Sequence, residues 1–201
     1  MNAPALLTLS VLLFAGTALA QDATPKPSPT PAATPETPAK PAENDPSVTR
    51  DTKHYNVPTG KPAIDGYDPV AYFPEGGGKP AKGGKKFAFT FRGVLYHFAS
   101  QANLDAFKKE PKKFEAAYGG WCANAMGKTG EKVEIDPTSF KITDGKLFLF
   151  YKDFFNDTRA SWSKDEKSLH AKADTSWKKT SGEDPVKAPE PAETKPAPSP
   201  K

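Results

Sequence analysis

At 201 residues the chain has room for one or two domains. Its single cysteine, Cys122, excludes an intramolecular disulfide. The net charge of +4 rests on basic residues scattered as short pairs, among them Lys85-Lys86, Lys108-Lys109, Lys112-Lys113 and Lys178-Lys179. That pattern reads as a solvated surface and argues against a nucleic-acid-binding face.

The first segment, Met1–Ala20, runs through an apolar stretch (Leu6-Leu7, then Val11 to Ala15) to Ala18-Leu19-Ala20, the small-x-small pattern that signal peptidase cuts. No Lys or Arg precedes the stretch, and no Cys stands at the cleavage point. The run is too short to span a bilayer, which takes roughly 20 apolar residues. These features predict a signal peptide cleaved after Ala20. The expected location is periplasmic or secreted, with no stable membrane insertion after cleavage. Gln21–Arg50 follows with eight prolines in thirty residues, one Val and no Leu, Ile or aromatic residue. It cannot bury enough apolar surface to offset its ordering entropy, and it reads as a disordered Pro-rich linker. Ser181–Lys201, with six prolines, reads as a tail of the same kind.

The predicted folded domain is therefore Asp51–Thr180. Its 130 residues carry 22 Lys and Arg against 16 Asp and Glu, a net charge of +6. Val57–Ile64 reads as an irregular entry segment. In Gly66-Tyr67-Asp68-Pro69, Asp68 is placed to cap a turn with Pro69 at its first position. Gly76-Gly77-Gly78 lacks the Gly-Lys-Ser/Thr ending of a phosphate loop and reads as a flexible loop.

Phe87–Phe91 alternates strictly between phenylalanine and small residues, a strand pattern. Arg92-Gly93 supplies a tight turn, and Val94–Phe98 returns as the second strand of a hairpin. Ser100 caps a helix over Gln101–Lys109, with Leu104 and Phe107 inward and Pro111 as its stop. A second helical piece is expected over Lys112–Tyr118, pairing Phe114 with Tyr118 until Gly119-Gly120 breaks it. Gly127 and Gly130 fall in an expected loop. Ser139–Ile142 and Leu147–Tyr151 form another hairpin about Asp144-Gly145. A last helix starts at Ser163, with Glu166 completing a capping box, and buries Leu169, Ala173 and Trp177. No internal repeat is visible. The whole predicts an α+β domain, a small antiparallel sheet built from hairpins with packed helices.

Several of these segments resemble the exported branch of the YHS-domain family. They are Gly66–Phe73, Gly93–Ser100, Phe107 with Pro111 and Phe114, Gly119–Ala123, Asp136-Pro137 with Asp144–Leu147, and Ala173-Asp174 with Trp177. In family order they span about Ile64 to Trp177. Tyr96, His97 and Ser100 stand where the family's Tyr-His-Ser trio belongs. The resemblance implies a metal-associated binding module, related to cysteine-rich domains of metal sensors and transporters. The cysteine pairs of those relatives are missing here, since Ser100–Asn103 occupies the place of one, so a thiol-rich site does not carry over.

Cys122 and Met126 carry the most suggestive chemistry. If helical, they lie on one face a turn apart, and soft sulfur donors favour Cu(I). His97, facing away from Tyr96 and Phe98, is the candidate third ligand. Both sulfur residues are equally at home in a core, and His97 in a hydrogen-bonded strand position. His54 and His170 are expected to be solvated. Tyr96, Trp121 and Tyr67 are the further binding candidates. No spacing supplies a base for Cys122 as a nucleophile, so no enzyme is expected. Two functional readings follow. One is an exported binding module that takes a soft metal such as copper through Cys122, Met126 and His97. The other is a metal-free domain that docks on an unknown envelope protein.

Overall fold

The computed structural model describes residues 49–185. The predicted signal peptide and nearly all of both Pro-rich segments lie outside the described residues. Within them the fold is α+β, with five α-helices and two separate antiparallel sheets of two strands each.

The hairpins form where the alternation places them. β1 (Gly84–Phe91) pairs with β2 (Val94–Phe98), and β3 (Asp136–Thr143) with β4 (Lys146–Phe150). Both turns put two successive residues at positive φ: Arg92 at 50° with Gly93 at 87°, and Asp144 at 50° with Gly145 at 68°. That is the backbone a two-residue hairpin requires, and the reason glycine takes the second place in each. The two hairpins also share an irregularity. Gly84 faces Phe98 and Ala88 faces His97; Asp136 faces Phe150 and Phe140 faces Leu149.

Helix α1 (Gln101–Lys109) begins as predicted, with the Ser100 hydroxyl accepting from Asn103 N at 3.1 Å. Other helices depart from the sequence reading. The second piece, α2 (Pro111–Phe114), is one turn long, and Glu115-Ala116 then runs extended. Phe114 and Tyr118 consequently enter different cores rather than sharing a face. Gly127 is inside α3 (Ala123–Lys128), not in a loop. A Cβ at Gly127 would lie 2.5 Å from Leu169 O, so the missing side chain is what lets α3 approach the last helix. That last helix divides into α4 (Thr158–Lys164) and α5 (Glu166–Ser181). The Ser163–Glu166 capping box does not form, because Ser163 is inside α4 and Glu166 binds Lys141 and Thr143 instead. Leu169, Ala173 and Trp177 are buried as expected.

Strand β4 joins the two cores by its twofold side-chain period. Leu147 and Leu149 enter the cluster that holds Phe91, Tyr96, Phe98, Phe107 and Phe114. Phe148 and Phe150 face the cluster of Met126, Trp162, Leu169 and Trp177.

The backbone also repeats where the sequence does not. Ile64-Asp65-Gly66 and Tyr118-Gly119-Gly120 each make three successive left-handed residues, with φ of 53°, 50° and 77° and of 56°, 62° and 86°. Each triplet is followed by a hairpin and a capped helix, although α3 stands before the hairpin only in the second case; Asp157 caps α4 by accepting from Arg159 N at 3.0 Å. A β-branched residue such as Ile64 in the left-handed region is strained by roughly 1–2 kcal/mol, and the surrounding structure must hold it there.

Candidate functional site

The two left-handed triplets border one cleft. Ile64, Gly119 and Gly120 line it together with Tyr55, Val94, Tyr96 and Ala116. Its room is small, about 10 Å³, enough for one water-sized group.

Behind the cleft lies a buried polar network. Arg50 Nη2 is 3.0 Å from Glu115 Oε2 and Nη1 donates to the Tyr55 hydroxyl at 2.6 Å; the Tyr96 hydroxyl donates to Glu115 Oε1 at 2.9 Å. The Tyr55 hydroxyl donates in turn to Glu183, which ties the start of the domain to the end of α5. Burial, then the Glu115 charge, pushes the Tyr96 hydroxyl far above its ordinary range. Burial likewise raises Tyr55. Both phenols therefore stay neutral donors. Arg50 is the last residue of the segment that reads as linker, yet its side chain is only 5% exposed. Neither Arg50 nor Glu115 carries a sequence signal that would single it out, since each has the composition of its neighbours.

Cys122 is 1% exposed. It precedes α3 directly, and Met126 N donates to Cys122 O at 3.0 Å, so the two sulfur residues are one turn apart as the spacing predicts. The thiol Sγ lies 3.5 Å from Thr158 Oγ1, at the first residue of α4. Met126 is fully buried among Tyr118, Phe148, Trp162 and Leu169. His97 has different surroundings. It is mid-strand in β2 opposite Ala88, and a Cβ placed on Gly66 would lie 3.7 Å from its Nδ1. Among the described residues no group of three or more His, Cys, Asp and Glu side chains is gathered as a metal-holding cluster.

The repeat gives Cys122 a counterpart. Asp68 stands two residues after Gly66 as Cys122 stands two after Gly120. Asp68 N donates to Ala81 O and Cys122 N to Val133 O, each at 2.9 Å. The Asp68 carboxylate accepts from Ala99 N at 2.8 Å and Asn103 Nδ2 at 2.6 Å, at the start of α1, where Cys122 meets the start of α4. Each of the two residues thus connects the chain just after a left-handed triplet to the helix that follows the next hairpin. The flanking aromatics correspond too. Lys82 Nζ is 4.2 Å from the Tyr67 ring centre, and Lys132 Nζ is 6.0 Å from that of Trp121. Trp121 Nε1 also donates to His54 O at 2.7 Å, which fixes the indole. Tyr67 and Trp121 are cation-covered walls of their loops, and Tyr96 belongs to the cleft.

His170 is packed rather than solvated. Its ring meets Phe148 edgewise and Trp162 at a tilt, and Nε2 is 3.6 Å from Asp174 Oδ1. Compared with protein-family models, with curated proteins and with solved structures, the chain matches none. What the fold defines is an α+β module of two similarly organised halves, with a cleft between their left-handed turns.

Proposed function

We propose that the chain is a non-catalytic binding module of the cell envelope, of the YHS type that its sequence resembles, and that it works without a resident metal. It receives a small apolar or hydroxyl-bearing group of a partner protein in the cleft between Ile64 and Gly119-Gly120. One observation carries the metal-free part of this reading: Cys122 occupies the place that Asp68 takes in the other half, and each connects the chain after a left-handed triplet to a later helix. A residue with that duty is a fastener, and a buried thiol 3.5 Å from a hydroxyl is a poor entry point for an ion. The cleft is favoured as the binding place because left-handed residues of both triplets line it, Ile64 among them in a strained conformation, and such strain gathers at sites under functional constraint.

The soft-metal reading through Cys122, Met126 and His97 keeps one support, the single helical turn between the sulfur residues. Copper(I) titration against a chromophoric chelator, run on the full chain and on Cys122→Ala, separates the two. The proposal predicts that neither protein competes for copper. Stoichiometric competition by the wild type that is lost in Cys122→Ala contradicts it and restores the copper module.

A further inference from the structure

The two halves differ in the link between the second strand and its helix. After β2 a single residue, Ala99, precedes the cap Ser100. After β4 six residues, 151–156, precede the cap Asp157. This longer link carries Phe154 and Phe155, each 93% exposed, the only large hydrophobic side chains exposed among the described residues. Leaving two adjacent phenyl rings in water wastes the apolar area that would otherwise stabilise the fold.

Their support is ordered. Asp153 Oδ1 accepts from Phe155 N at 2.9 Å and Asn156 N at 2.8 Å, and its other oxygen accepts from the Tyr151 hydroxyl at 2.8 Å. Asp153 N donates to Asn156 O at 2.9 Å, and Thr158 N to Tyr151 O at 3.0 Å. The rings pack edge to face with centres 5.0 Å apart. The tip is thus held in place by groups that would gain nothing from it in the core.

We propose that this tip docks the domain peripherally on an anionic lipid surface, with Phe154 and Phe155 entering between the headgroups. Two observations favour lipid over a protein partner. The two rings are an isolated patch, and no other large apolar side chain is exposed among the described residues to extend it toward the roughly 1,000 Å² of a stable protein interface. Lys152 and Arg159 flank the tip and are exposed; Asp153 and Asp157 balance them locally, with Arg159 Nη2 3.4 Å from Asp157 Oδ2, so the attraction to anionic lipid comes from the domain as a whole, with 22 basic against 16 acidic residues. A few inserted apolar groups plus such cations suffice for reversible interfacial binding. No helix among the described residues is long and apolar enough to cross a membrane, and none is needed.

The test uses the full chain, its Phe154→Ser/Phe155→Ser variant and a Phe155→Trp variant. The vesicles contain equal parts phosphatidylglycerol and phosphatidylethanolamine, with phosphatidylcholine vesicles as the uncharged control. Because the apolar segment Met1–Ala20 is common to all three proteins, differences between them read the tip. The proposal predicts that the double serine variant binds anionic vesicles at least about tenfold more weakly, with an unchanged melting temperature. It also predicts that the added emission of Phe155→Trp shifts to the blue only when anionic vesicles are present. Equal vesicle binding by the wild type and the double variant overturns it. So does a blue shift that grows with protein concentration without lipid, which would make a second copy of the chain the occupant.

Discussion

Arg50 Nη2 lies 3.0 Å from both carboxylate oxygens of Glu115, across 65 residues of sequence, and both side chains are almost completely buried. The pair closes the entry segment over the first core, with the guanidinium 5.5 Å from the centre of the Phe91 ring. Such a pair is strongly destabilising to break singly, because the remaining charge is left buried. Glu115→Gln or Arg50→Met should each lower the unfolding free energy by about 3–5 kcal/mol in urea denaturation. Replacing the set together, as Arg50→Met with Glu115→Leu and Tyr96→Phe, should recover most of that loss. Equal damage in the single and combined variants would mean that the pair is not the cause.

Glu166 gives the fold an acid-sensitive contact. Burial alone would raise its carboxyl, but the Lys141 ammonium and the Thr143 hydroxyl, which donates at 2.7 Å, outweigh it and hold the group below the ordinary glutamate range. A carboxylate depressed in the folded state adds stability above its unfolded pKa of about 4.3, and loses it as pH falls through the lower folded value. Glu166→Gln should therefore be less stable than wild type at neutral pH and converge with it in acid. Parallel stability curves across that range would contradict the assignment.

Asp65 is exposed and left-handed at φ 50°, so its side chain has no packing to lose. Asp65→Gly should raise stability by about 0.5–1 kcal/mol through relief of backbone strain. Ile64→Gly relieves similar strain but removes a buried side chain, and should cost about 2–5 kcal/mol instead. Thermal melts of the two variants should move in opposite directions.

Gly127 faces the backbone of α5 closely enough that one methyl group must part the helices. Gly127→Ala should destabilise by about 1–3 kcal/mol, although alanine is the better helix former. A stabilised Gly127→Ala would show that propensity outweighs the contact.

Much of the scaffold was legible in the sequence because its signals are local. The alternation of Phe87 to Phe91, the glycine turns at Gly93 and Gly145 and the Ser100 cap need no distant partner, and all form where expected. The errors share the opposite cause. Helix α2 stops at Phe114 because Glu115 must extend to reach Arg50, and Ser163 fails to cap because Glu166 is taken by β3. The site was less legible still. The sulfur spacing was readable, but the equivalence of Cys122 with Asp68 is not, since a thiol and a carboxylate share no pattern while doing the same task. The exposure of Phe154 and Phe155 was equally hidden, because nothing in two adjacent phenylalanines after a strand says which way they face.

The central claim is that Cys122 is a sealed fastener of the fold, and native-state labelling tests it most directly. Ellman's reagent should label Cys122 of the folded chain no faster than the chain unfolds, and at once in denaturant. Rapid stoichiometric labelling of the native protein would show an open thiol and contradict the account.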